Sequence, residues 1–215
     1  MDLYTVLFYL ATLAGFVAFG FYLINRKRLQ PEMRAAGPYF WLIGLSSLYE
    51  QVFTLWLRVD ATIYFRIYGL LDMVLMLYFY SQVVKGQRAA IWLFGLAYSI
   101  VFIYLWIHFD EYDLTRADQI CVPISTFIVF YFTILWFRQQ FLAMREESLL
   151  SIGSFYFVSG LFMYFAATIF LFLYSNLVFK SKAVNYLLEF WVFNIFMVIL
   201  ARLIFIIAIW KGRRT

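Results

Sequence analysis

Seven stretches of this chain are each long and apolar enough to cross a bilayer, and the breaks between them are short. A transmembrane helix needs about 20 mostly apolar residues to span a hydrocarbon core of about 30 Å. Within lipid every backbone polar group must be satisfied by the segment itself. The stretches cover residues 3–24, 38–57, 62–84, 89–108, 120–137, 154–176 and 186–210. The reading is an all-α membrane protein, with one seven-transmembrane-helix domain over 1–215. Hydrophobic residues make up 66% of the chain and charged ones 13%, about half the charged share of a soluble domain. In water, such helices would have nowhere to bury their outer faces.

Trp41, Trp56, Trp92, Trp106, Trp136 and Trp210 fall close to predicted span ends, with Trp191 slightly deeper. Indole rings favour the headgroup level, so these residues are read as interface anchors. The first apolar run has no basic n-region and is followed by Asn25–Arg28 rather than a small-residue cleavage site. It is read as a retained helix, not a cleaved signal.

Loop charge sets the orientation, because the loops are short. With the N-terminus outside, Arg26, Lys27, Arg28, Arg34, Lys85, Arg88, Arg138, Arg145, Lys211, Arg213 and Arg214 are cytoplasmic. Only Arg58, Arg116, Lys180 and Lys182 then lie outside, together with the acidic run from Asp110 to Asp118. The chain is therefore read as N-out and C-in, multi-pass in the inner (cytoplasmic) membrane. Its formal charge of +5 is a topology signal facing anionic membrane lipid, and no nucleic-acid partner is called for.

Cys121 is the only cysteine and His108 the only histidine. An intramolecular disulfide, a thiolate zinc site, an iron–sulfur cluster and bis-histidine haem are excluded within one chain. His108 reads as an interfacial residue. The seventh stretch lacks the lysine that a retinal Schiff base needs, and the third ends without the arginine motif of G-protein-coupled receptors. No phosphate-binding, dinucleotide or zinc-protease motif is present. No cofactor, metal or catalytic constellation is expected, and the reading leans away from an enzyme.

An ionisable side chain at the bilayer centre costs about 2.5–3.5 kcal/mol on insertion scales, so such residues face the bundle interior. Glu50 lies in the second stretch, Arg66 and Asp72 in the third, and Glu189 and Arg202 in the seventh. Tyr64, Tyr68 and Asp72 follow one another at four-residue spacing and share a helix face. Arg66 is rotated about 120° from Asp72 and is expected to pair with Glu50 or Glu189. Two readings stay open. Arg66, Glu189 and Arg202 serve as structural ion-pair residues, while Glu50, Tyr64, Tyr68, Asp72 and Asn194 are candidates for ligand binding or a proton relay. Ala11 with Gly15, and Ala14 with Ala18, have the spacing of close helix contacts. Pro123 is placed near the outer end of the fifth span, where it costs little.

Four segments carry a resemblance: SSLYEQVF, YFRIYGLLDMVLMLYFY, FYFVSGLFMYFAATIFLFL and NIFMVILARLIFIIAIWK. With them the chain resembles, over nearly its whole length, an uncharacterised family of small seven-helix membrane proteins common in Bacteroidetes. The resemblance implies shared polar positions at Glu50, Tyr68, Asp72, Ser159, Gly160, Tyr164 and Asn194. Asp72 stands where glutamate is more usual, and Arg202 stands where a neutral polar residue is more usual. By association the family implies a signalling membrane protein or a second copy of the chain as partner. The leading functional expectation is a sensory or accessory membrane protein that binds a small molecule or a partner's transmembrane helix. The alternative is a small transporter or proton-coupled permease using Glu50 and Asp72.

Overall fold

A computed structural model of the chain describes residues 3–59, 62–108, 114–143, 148–180 and 184–214. Residues 110–113 of the acidic run, with Arg145 and Lys182, lie outside the described residues. The rest is helical, without a strand among the described residues. In chain order the helices are α1 Leu3–Asn25, the short α2 Pro31–Ala35, α3 Gly37–Tyr49, α4 Thr62–Val83, α5 Arg88–His108, α6 Leu114–Leu142, α7 Gly153–Lys180 and α8 Val184–Lys211.

Six of these helices are long and apolar enough to cross a membrane: α1, α4, α5, α6, α7 and α8. The second predicted span is not a single regular helix. Its α-helical part stops at Tyr49, and a π-helix continues from Glu50 to Trp56. The wider winding is visible at its end, where the Leu57 amide donates to the Val52 carbonyl at 3.0 Å. Arg58 then turns the chain with φ +52°, a left-handed conformation that costs an L-residue about 1–2 kcal/mol.

The outer surface is that of a lipid-facing bundle. Leu93, Leu96, Ile107, Phe127, Ile134 and Phe170 are all exposed, which a soluble fold of this size does not tolerate in such number. Inside, α8 packs mainly on α1 and α7, α6 on α7, and α1 on α3. The small residues expected to mark close contacts do so: Ala11, Ala14, Gly15 and Ala18 are buried along α1.

The ends of the bundle differ. The C-terminal ends of α1 and α8 lie side by side. The Gln30 amide donates to the Gly212 carbonyl at 2.8 Å, and the Arg214 amide to the Arg28 carbonyl at 2.7 Å. Arg34 donates to the Leu29 and Lys27 carbonyls, and Ser154 Oγ donates to Glu32 Oε2 at 2.5 Å. Gln139 locks the α4–α5 turn by pairing with both backbone groups of Lys85, at 3.0 and 2.9 Å. This end carries Arg26, Lys27, Arg28, Arg34, Lys85, Arg88 and Arg138 on its surface and is called here the basic end. Just inside it lies the aromatic core. Phe157 sits 4.6 Å from Phe79, 4.9 Å from Phe205 and 5.7 Å from Phe40, centroid to centroid.

Two sequence expectations change. Trp136 is not an interface anchor: it is 0% exposed, packed on Phe137, and its indole N–H has no partner. The other six tryptophans are exposed, as anchors require. Pro123 does not lie at a helix end. Helix α6 starts earlier than expected, at Leu114, so the proline is interior and the Gln119 carbonyl loses its usual donor.

Candidate functional site

At the far end from the basic surface, the helices part around two adjoining chambers of about 460 and 480 Å³. They share a wall made of Phe65, Tyr68, Asp72, Asp118, Val122, Tyr164, Phe172 and Trp191. The first chamber is completed by α1, α3 and α8, with Glu50, Asn194 and Arg202. The second is completed by α5 and α6, with Arg66, Tyr98, Cys121 and Ser125.

Asp72 stands on the shared wall. Four-residue spacing on α4 sets it beside Tyr68, and both line the two chambers. Tyr39, from α3, interacts with the Asp72 carboxylate, and Tyr68 and Tyr164 lie within its electrostatic range. Tyr39 also forms the floor of the first chamber. Its ring meets Phe157 and Phe205 edge-on at 5.5 and 5.9 Å, so the floor is the top of the aromatic core. The Tyr164 hydroxyl donates to Asn194 Oδ1 at 3.4 Å across α7 and α8.

Glu50 sits where the α-helix becomes a π-helix. Its Oε1 accepts from Ser46 Oγ at 3.2 Å, and the charge opposite it is that of Arg202. Arg202 is only 6% exposed. Its Nη1 donates to the Ala11 carbonyl at 2.5 Å. That approach needs Gly15: a Cβ there would stand 3.0 Å from Nη1 and would collide with Ser47 Oγ. Arg202 lies nearer the basic end than its own guanidinium does. Side chains on a helix lean toward its N-terminus, which on α8 is the chamber end.

Arg66 is placed differently from expectation. It lines the second chamber, and the acid in its electrostatic range is Asp118, not Glu50 or Glu189. Glu189 is exposed and outside both chambers. Tyr64 shares the Asp72 face of α4 but does not reach the chambers. It stacks on Tyr49 at 3.7 Å, and its buried hydroxyl has no hydrogen-bond partner. His108 lies at the end of α5, exposed and stacked on Tyr104.

Asp118 falls in a loop by the sequence reading, but α6 begins at Leu114 and the residue lines both chambers. The signal was present: Asp118, Cys121, Val122 and Ser125 are spaced as one face of a helix, and all four line the second chamber. The site therefore holds three carboxylates on three helical elements, two arginines, and an aromatic lining that includes four tyrosines, Tyr4, Tyr39, Tyr68 and Tyr164, in the first chamber. This can hold a polar or charged small molecule inside an otherwise apolar bundle. Comparisons with protein-family models, with curated proteins and with solved structures return no match. The geometry alone carries the functional reading.

Proposed function

We propose that this chain is a seven-span inner-membrane protein that holds a small molecule within its bundle and passes on the occupied state as a change in helix packing. It is read as a sensory or accessory protein with its N-terminus outside and its C-terminus cytoplasmic. The observation that carries the reading is the pair of chambers with Asp72 on their common wall. The π-helix at Glu50 supports it, since such irregular turns recur at functional sites. Seven crossings are supported by the paired ends of α1 and α8. Two helices that end side by side run the same way, which requires an odd number of crossings from first to last. Six regular spans plus the α3 and π-helix segment satisfy that count.

The rival reading, a permease using Glu50 and Asp72, draws on the same carboxylates. It needs a second opening toward the basic end, where the aromatic core and the interlocked backbone close the bundle. Membership in the Bacteroidetes family belongs to this proposal too, since Tyr68, Asp72, Tyr164 and Asn194 are the positions that a common cavity would use.

The chain carries its own probe. Cys121 is the single cysteine and lines the second chamber. In folded protein, N-ethylmaleimide should add once, as read by intact mass, and Val122→Trp should slow the addition by filling the chamber. A thiol that reacts only after denaturation would sink the cavity reading. A reporter fused after Thr215 should be cytoplasmic, and an external one would overturn the orientation.

A further inference from the structure

The charges around the chambers do not match one to one. Glu50 has the Arg202 guanidinium opposite it, and Arg202 is itself held by the Ala11 carbonyl. Asp118 has Arg66. No arginine acts on Asp72 in this way: its partner is Tyr39, and Arg202 acts on the neighbouring Tyr68 and Tyr164. Tyrosine hydroxyls can donate hydrogen bonds to a carboxylate but bring no charge. An uncompensated carboxylate in a low-dielectric site is costly unless a positive charge or a proton joins it.

The walls around Asp72 supply what a cation needs. Tyr68, Tyr164, Phe172 and Trp191 line both chambers with it. An aromatic ring attracts a cation through its negative face, and desolvated cases are worth about 2 kcal/mol or more. The kind of cation follows from the donor set. Among the described residues no three of His, Cys, Asp and Glu come together as metal ligands. A carboxylate set among tyrosines in an aromatic enclosure suits a soft, weakly hydrated ion instead of a small inorganic one.

Building on the cavity reading above, we propose that the chambers bind a small organic cation, a protonated amine or quaternary ammonium, with Asp72 as its counter-charge and the shared aromatic wall as its cage. Arg66 acts on Asp118, and Arg202 acts on Glu50, Tyr68 and Tyr164.

The test uses full-length protein in nanodiscs, with radiolabelled choline as the probe. Its competitors are the neutral isostere 3,3-dimethyl-1-butanol and the anion 3,3-dimethylbutanoate. Choline should bind saturably, and both competitors should displace it at least about tenfold less well than unlabelled choline. Asp72→Asn should weaken choline binding by about tenfold or more, a shift that corresponds to loss of one favourable charge contact. Trp191→Leu should weaken choline more than the alcohol. Equal displacement by the alcohol, or better displacement by the carboxylate, would overturn the cation assignment and leave the cavity standing. Absent choline binding in protein whose Cys121 is readily alkylated would do the same. Absent binding together with a sealed Cys121 would remove both proposals. The competition among the three isosteres needs only the native protein, so the assignment stays testable even if Asp72→Asn fails to fold.

Discussion

At the basic end, Phe157 lies within 4.6 to 5.7 Å of four other rings, and glycines bring backbones into direct contact. At the far end, Asp72 faces two chambers, and its neighbour Gly69 has nothing within 4 Å of where a side chain would begin. The same helices build both ends. The difference lies in what they present to one another: phenylalanine, methionine and glycine at the closed end, tyrosine and carboxylate at the open one. Lipid tails are as apolar as the core, so burial of apolar surface does little to join helices here. Close packing therefore holds the basic end together and frees the far end to keep space. The closed half is the frame, and the open half is where a ligand can change something.

That contrast is most exposed to a cavity in the frame. Phe157→Ala should lose about 3–5 kcal/mol, the usual cost of emptying a fully packed aromatic site, as measured by reversible denaturation in mixed micelles. A loss below about 1 kcal/mol would mean that the basic end is not the frame. Next comes Arg202→Ala, which leaves Glu50 without its opposite charge and the Ala11 carbonyl without its extra donor. It should cost about 3 kcal/mol, as when one partner of a buried charge pair is removed. Arg202→Lys should recover only part, because an ammonium cannot reproduce the planar reach of a guanidinium.

A pair of glycine substitutions sharpens the comparison further. At Gly153 a Cβ would come 2.5 Å from the Ala208 carbonyl and 2.5 Å from the Gly212 Cα, both backbone atoms. Gly153→Ala should therefore destabilise by about 1–3 kcal/mol through overpacking. Gly69→Ala meets no neighbour and should stabilise α4 by about 0.5–1 kcal/mol, the helical preference of alanine over glycine. Similar effects at both sites would erase the distinction between the ends. The smallest effect belongs to Arg58, where glycine at φ +52° removes a conformational penalty. Arg58→Gly should raise stability by about 1 kcal/mol, and a decrease would show that the arginine side chain matters more than its backbone.

Much of this architecture was legible in the residues. Hydrophobic length placed six helices, and the small-residue spacing of α1 identified the face that packs. The inward placing of Tyr68, Asp72 and Asn194 is legible because a polar residue within an apolar run is costly, and all three line the first chamber. What was not legible came from geometry that composition does not encode. The switch from α to π winding at Glu50 changes no residue type. It rotates the rest of that segment, and Tyr64 stacks on Tyr49 instead of lining a chamber. Asp118 was hidden by a boundary: an acidic run reads as a loop until the helix start is known. Arg66 was assigned a partner by depth alone, whereas Asp118, unseen as a helix residue, was the acid within its range. Trp136 followed the interface rule in sequence and broke it in space, because α6 runs on to Leu142 and the tryptophan faces the core.

The pairing of Leu29 with Arg213 joins a point near the beginning of the chain to a point near its end. Seen as a sequence of events during synthesis, this sets an order. Helix α1 is made well before α8, one of its two main partners. Until then, the buried face of α1 from Ala11 to Ala18 is half covered, and the guanidinium that binds the Ala11 carbonyl has not arrived. The basic end can close only after Gly212 and Arg214 have left the ribosome. Arrival of α8 thus completes the frame, matches Glu50 with its cation and closes the wall of the first chamber in a single step. A chain stopped short of Val184 would carry an open groove along α1, a feature by which a copy without α8 can be told from one that has it.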